Sequence, residues 1–93
     1  MSSIEKSKVF TVKNKLGLHA RAAAIFVRLS NKFSSDIQLM KDGYTVDGKS
    51  ILGVLSLAAI QGTKLEVIAR GEDADQAISE IEQLVDSGFG EGS

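Results

Sequence analysis

Between residues 8 and 12 the chain alternates, with Phe10 and Val12 on one side and Val9 and Thr11 on the other, until Lys13-Asn14-Lys15 breaks the pattern. A period of two marks a strand with one buried face, so a first strand is expected here. Past Leu16-Gly17-Leu18-His19 the period changes. Ala22, Ile25, Phe26, Leu29 and Phe33 recur at the spacing of one helix face, and the alanines at 22–24 add helix propensity. Residues 37–41 and 44–47 flank Asp42-Gly43, a pair suited to the positive dihedrals of a tight hairpin. Ser50 is placed to cap a second helix over the apolar run 51–59, which is expected to end near Gln61-Gly62. Alternation returns at 64–70, with Leu65, Val67 and Ala69 on one face. A last helix follows, in which Asp73 and Gln76 have the spacing of a capping box. Ala74, Ala77, Ile78, Ile81, Leu84 and Val85 form its buried stripe, and Gly88 is its terminator.

The order strand, helix, strand, strand, helix, strand, helix predicts an α+β fold with three helices on one face of a sheet. Periodicity alone leaves the strand order open, and a ferredoxin-like arrangement has the same elements. Ninety-three residues suit a single domain spanning 1–93, ordered over about 5–89, with a glycine-rich tail beyond Phe89 expected to be disordered.

Composition narrows the chemistry. With no cysteine the chain has no disulfide framework, thiolate metal site or cysteine nucleophile, which favours a cytoplasmic location. The apolar stretches near 22–27 and 51–60 are too short to cross a bilayer, and the first eight residues lack the apolar core of a secretory signal. A net charge of −1 provides no footprint for nucleic acid, so protein or small-molecule partners are expected.

His19, the only histidine, falls where a glycine-containing loop becomes a helix. The first amides of a helix lack internal partners and, together with the helix dipole, favour an anion. Ala20 and Arg21 would supply such amides, the Arg21 guanidinium could bind phosphate oxygens as a fork, and Gly17 would permit close approach. A neutral imidazole has a nucleophilic lone pair near pH 7. The ordinary alternative is that His19 merely caps the helix. A metal site is not expected, because one histidine and no cysteine fall short of the three or four ligands that zinc needs.

Asn14-Lys15-Leu16-Gly17-Leu18-His19-Ala20-Arg21-Ala22 resembles the active-centre segment of HPr phosphocarriers. Residues 48–57, Gly48-Lys49-Ser50-Ile51-Leu52-Gly53-Val54-Leu55-Ser56-Leu57, resemble the same family's regulatory-serine segment at the usual distance. With the element order, the resemblance spans roughly residues 8–87. It implies an open-faced β-sandwich with antiparallel strand order 1-4-2-3 and a role in a phosphoenolpyruvate-dependent phosphotransferase chain. In such a chain enzyme I phosphorylates Nδ1 of the residue corresponding to His19, and the carrier passes the group to an EIIA-type domain. No cofactor is implied, and the carrier has no turnover of its own. Many members place proline after the arginine; here Ala22 keeps helix propensity but loses proline's fixed dihedral. The Asn-Lys-Leu-Gly start and the Ser87-Gly88-Phe89 ending resemble the nitrogen-related branch, which leans toward regulation rather than sugar uptake.

The resemblance further implies that apolar residues of the first two helices dock partners, here Ala20, Ala24, Ile51, Leu52 and Leu55. Arg21 and Arg28 would steer acidic partners onto that surface. Core packing is the competing role for the apolar members. Ser50 would carry a regulatory phosphate beside the apolar patch, added by an HPr kinase/phosphorylase in a host that has one. A monomer is the simplest expectation. Two rival functions remain: a purely regulatory binding module, against which His19 and Arg21 argue, and a ferredoxin-like ligand-binding domain, for which paired cysteines or a glycine-rich ligand loop would be expected.

Overall fold

The first alternating run forms β1 (Glu5–Thr11) in the computed structural model, which describes residues 4–90. It is followed by α1 (Ala20–Ser30), β2 (Asp36–Lys41), β3 (Tyr44–Asp47), α2 (Ile51–Ser56), β4 (Lys64–Arg70) and α3 (Ala74–Asp86). The sheet order is β1-β4-β2-β3, and every pairing is antiparallel. The last strand therefore inserts between the first and second.

Register explains where the core lies. Phe10 sits opposite Leu65, and Leu39 opposite both Val67 and Val46, so these five side chains share one face. All five are buried, together with Ile37 and Ala69. The helices cover this face with Ala22, Ala23 and Phe26 of α1, Val54 of α2, and Ala77, Ile81 and Val85 of α3. Small residues at 22, 23, 74 and 77, all 0% exposed, let the helix backbones come close to the sheet. On the opposite face Val9 stays 57% exposed, as an open-faced sandwich requires.

The Asp42-Gly43 turn has φ of 51° and 82° at its two residues, the positive pair a tight two-residue hairpin demands. Gly88, at φ 65°, ends α3 as expected. Its amide donates to the Val85 carbonyl (3.0 Å) and that of Phe89 to the Leu84 carbonyl (2.9 Å), a Schellman motif. This turn drives Phe89, 2% exposed, back into the core. Of the tail beyond Phe89, where disorder was expected, Gly90 is instead tied to the end of α3, its amide donating to the Ser87 carbonyl (3.2 Å), and Glu91 to Ser93 lie outside the described residues.

Four expectations need correction. β1 begins at Glu5, three residues before the expected start, because Glu5 to Ser7 also pair with β4. Phe33 is not on α1, which ends at Ser30; it is buried from the connection to β2. The second helix ends at Ser56, not near Gln61-Gly62, because Ala58 adopts φ 50° and turns the chain. Leu57 and Ala59, 3% and 4% exposed, thus reach the core from a loop. Finally, Asp73 precedes α3 but makes no side-chain cap bond, and Gln76 bonds Glu80 instead of closing a box.

The Asp73 carboxylate is turned to the connection between α1 and β2. It accepts from the Ser35 hydroxyl, from the amides of Ser34 (2.9 Å) and Ser35 (3.0 Å), and from the Ser34 hydroxyl (3.3 Å). These donors, the Ser35 hydroxyl foremost, lower its pKa to about 2.

Candidate functional site

The segment before α1 is built around a buried amide. Asn14, 0% exposed, donates from Nδ2 to the Gly17 carbonyl (2.8 Å), while the Gly17 amide donates to the Asn14 carbonyl (3.1 Å). Gly17 has φ +66°, and a Cβ there would lie 2.4 Å from the Ala59 carbonyl oxygen, so only glycine fits. Leu18 is anchored in the core, 4% exposed, and its amide donates to that same Ala59 oxygen (2.9 Å). The loop after α2 therefore forms one wall of the turn that leads into α1.

His19 is the N-cap of α1, with extended backbone (φ −75°, ψ −179°), and its carbonyl accepts the first helical bond, from Ala23 (2.8 Å). Its half-buried ring directs Nδ1 at the Arg21 amide, which donates to it at 3.3 Å. A nitrogen that accepts from an amide has its lone pair there, so the ring proton belongs on Nε2. The two readings of His19 thus meet at one atom: the capping nitrogen is the one that the family resemblance assigns as phosphoryl acceptor, and it lies at the positive end of the helix. Arg21's amide was expected to stand open for an anion, but it is engaged by Nδ1 itself. A phosphoryl group on Nδ1 is too large for the 3.3 Å between them, so the ring must turn as the N–P bond forms, and the released amide could then donate to a phosphoryl oxygen. Arg21 is exposed, its guanidinium two residues from the ring.

The other predicted site residues fall into two further groups. Ser50 caps α2, its hydroxyl accepting from the Gly53 amide at 3.1 Å. It lies near the far end of α1, because the neighbouring Lys49 ammonium donates to the Phe33 carbonyl (2.7 Å). Arg28 is exposed in the last turn of α1. Eleven helical residues span about 16 Å, so Arg28 and Ser50 are set apart from His19 and not gathered around it. α2 connects the two ends, starting beside the end of α1 and leading through Leu57 to Ala59 against the histidine loop.

Along that connection Ile51 is 41% and Leu52 77% exposed, whereas Leu55 is half-buried and packs on the core. Ala20 is exposed and Ala24 half-buried. Sequence reasoning missed Leu16 and Ile60, 70% and 71% exposed, beside the turn at Gly17. An apolar residue among Lys13, Asn14 and Lys15 was the available signal for Leu16. It also missed Asn14, which reads as a polar loop residue until burial is known. Among the described residues, no group of three or more histidine, cysteine or acidic side chains could hold a metal, and no helix is long and apolar enough to cross a membrane.

Residues 6–87 match the family model described as "PTS HPr component phosphorylation site". The chain is 47% identical over 74 residues to the HPr-like protein Crh of Bacillus subtilis, covering 80% of this chain and 87% of that protein. It is 42% identical over 84 residues to the phosphocarrier protein HPr of Treponema pallidum, covering 90% and 96%. Among solved structures, HPr from Thermoanaerobacter tengcongensis superimposes with a TM-score of 0.90 at 45% identity, covering 92% of this chain and 97% of that one.

Proposed function

Because this chain belongs to the HPr family of phosphotransferase-system phosphocarriers, we propose that it accepts a phosphoryl group from enzyme I on Nδ1 of His19 and delivers it to an EIIA-type domain. The observation that carries this reading is the direction of Nδ1, whose lone pair faces the N-terminus of α1 with the Arg21 amide 3.3 Å away. In the transfer that lone pair attacks phosphorus, a new N–P bond forms, and the donor's bond to phosphorus breaks with its electron pair returning to the donor. The proton on Nε2 stays with the ring and makes the phosphorylated imidazole a good leaving group for the onward step.

The chain's own groups then hold the phosphoryl oxygens: the Arg21 amide, the Ala20 amide beside it, and the Arg21 guanidinium as a fork. Gly17 lets the loop lie close to Ala59 so that this geometry is reached. No cofactor is needed and no independent turnover is expected, since His19 is itself the group modified and each partner brings the donor or acceptor on the other side of the transfer. Ile51, Leu52, Leu55, Ala20 and Ala24 form the docking surface, with Arg28 at its far margin attracting acidic partners. Phosphorylation of Ser50 by an HPr kinase/phosphorylase would place close to two negative charges beside Ile51 and weaken docking of an acidic enzyme I. The carrier acts in the cytoplasm as a monomer; because Crh of Bacillus subtilis and an HPr of Thermoanaerobacter tengcongensis have been solved as dimers, light scattering at the mass of one chain is the check.

Incubation with enzyme I, phosphoenolpyruvate and magnesium tests the reading. One added phosphoryl group, removed by acid and stable to base, is expected by mass spectrometry. Equal labelling of His19→Ala would overturn it.

A further inference from the structure

Asn14 has no part in the transfer described above, yet it is wholly buried. An amide buried without hydrogen bonds costs about 1–3 kcal/mol, so a leucine would serve a purely packing role better. What the asparagine contributes is direction. The carbonyl that receives its Nδ2 hydrogen bond belongs to Gly17, and the amide that bonds the Ala59 carbonyl belongs to Leu18. These two groups are the two ends of one peptide unit. The Gly17–Leu18 plane is therefore held at its oxygen by Asn14 and at its N–H by Ala59, and it cannot rotate without losing both bonds.

The next peptide leads to His19, whose extended backbone sets the direction of Nδ1 toward the Arg21 amide. The rest of the loop is fixed to the same wall. Val12 exchanges bonds with the Gly62 amide (2.8 Å) and the Thr63 carbonyl (2.9 Å), and Gln61 donates to the Lys13 carbonyl (3.0 Å). Asn14 bridges this anchored entrance to the exit at Gly17. We infer that Asn14 is a positioning residue for phosphoryl transfer, fixing the Gly17–Leu18 peptide plane and through it the aim of His19 Nδ1. The inference rests on His19 being the phosphoryl acceptor.

Asn14→Leu removes the donor while keeping an apolar side chain of similar size. At a temperature where wild type and variant are both folded, kcat for acquisition of the phosphoryl group from enzyme I should fall between about tenfold and about a hundredfold. The KM for the carrier should stay unchanged, because the exposed docking residues are untouched. The ring nitrogen-15 signals should move from a single Nε2–H form toward a mixture of tautomers. Asn14→Asp tests the same point if leucine prevents folding. Its protonated carboxyl can donate to Gly17 and its ionised form cannot, so acquisition should fall across a pH step that wild type lacks. Wild-type kcat and ring signals in Asn14→Leu, or an Asn14→Asp profile parallel to wild type, would overturn the inference. A His19→Ala variant run alongside separates the two failures: persistent labelling there removes the acceptor assignment, whatever Asn14 does.

Discussion

The Arg21 amide donates to His19 Nδ1 at 3.3 Å, so a residue and its neighbour two positions on close the first turn of α1 through the ring nitrogen proposed to carry phosphate. The bond is long for an N-cap, which suits an acceptor that must be released when the nitrogen reacts. Arg21→Lys leaves this backbone amide in place and replaces a planar fork with a point charge. The variant should still be phosphorylated by enzyme I and phosphoenolpyruvate, but about tenfold more slowly, a loss equivalent to roughly one charge-assisted hydrogen bond. Quenched-flow labelling measures this. An unchanged rate would remove the guanidinium from the site.

Gly17 and Gly43 both have positive φ, at +66° and +82°, yet they should respond differently to alanine. At Gly43 the added Cβ meets nothing within 4 Å, so only the left-handed conformation costs, about 1–2 kcal/mol. At Gly17 the same methyl group would lie 2.4 Å from the Ala59 carbonyl oxygen, a backbone atom that also bonds Leu18. Gly17→Ala should therefore destabilise by at least about 2 kcal/mol and also slow phosphorylation, whereas Gly43→Ala should leave phosphorylation alone. Urea denaturation paired with the labelling assay distinguishes them.

Much of this was legible from local pattern. The hairpin at Asp42-Gly43, the cap at Ser50 and the stop at Gly88 each depend on residues within a few positions of one another, and each formed as the sequence implied. Strand order did not follow from pattern, because antiparallel pairing of β4 between β1 and β2 is a long-range choice; the family resemblance supplied it. Asp73 shows the limit most clearly. Its spacing to Gln76 met the local rule, but four donors on Ser34 and Ser35, nearly forty positions earlier, offered the carboxylate a better-satisfied place. The run 51–59 failed as one helix for a similar reason, since the turn at Ala58 sends Ala59 against Gly17 and Leu18. Asn14 was invisible because only burial separates a structural amide from a solvated one.

Asp73 also sets an acid limit on stability. Its folded pKa, about 2, is depressed below the ordinary carboxylate value of 3.8 by the bonds from Ser35 and Ser34. The stabilisation is fully present above the unfolded value and is lost as pH falls toward the folded one. The denaturation midpoint of wild type should thus drop between about pH 4 and pH 2 through this group, and Asp73→Asn should flatten that part of the profile. A parallel profile in the variant would show that Asp73 does not contribute.

Ser30 ends α1 with its side chain fully buried and no hydrogen-bond partner for Oγ among the described residues. Alanine would remove an unsatisfied hydroxyl and improve helix propensity at once, so Ser30→Ala should stabilise by about 1 kcal/mol. An increased urea midpoint with an unchanged slope is the expected result. A clear destabilisation would mean that the hydroxyl has a partner in solution, such as an ordered water.

Ser50 combines two roles that substitution can separate. Its hydroxyl accepts from the Gly53 amide at 3.1 Å, so Ser50→Ala should cost about 1 kcal/mol in stability through loss of the cap. The alanine variant should nevertheless accept phosphate from enzyme I at close to the wild-type rate, because the His19 loop lies at the opposite end of α1 and Ile51 and Leu52 remain exposed. Ser50→Asp keeps a capping oxygen and adds a negative charge, so its stability should match wild type while its phosphorylation by enzyme I slows. If charge beside Ile51 governs docking, the slowing should appear in KM and diminish as salt is raised, since exposed charges are screened over about 8–10 Å at physiological ionic strength. Slowing in both variants alike would assign the effect to the helix cap, and slowing of neither would remove Ser50 from the docking surface.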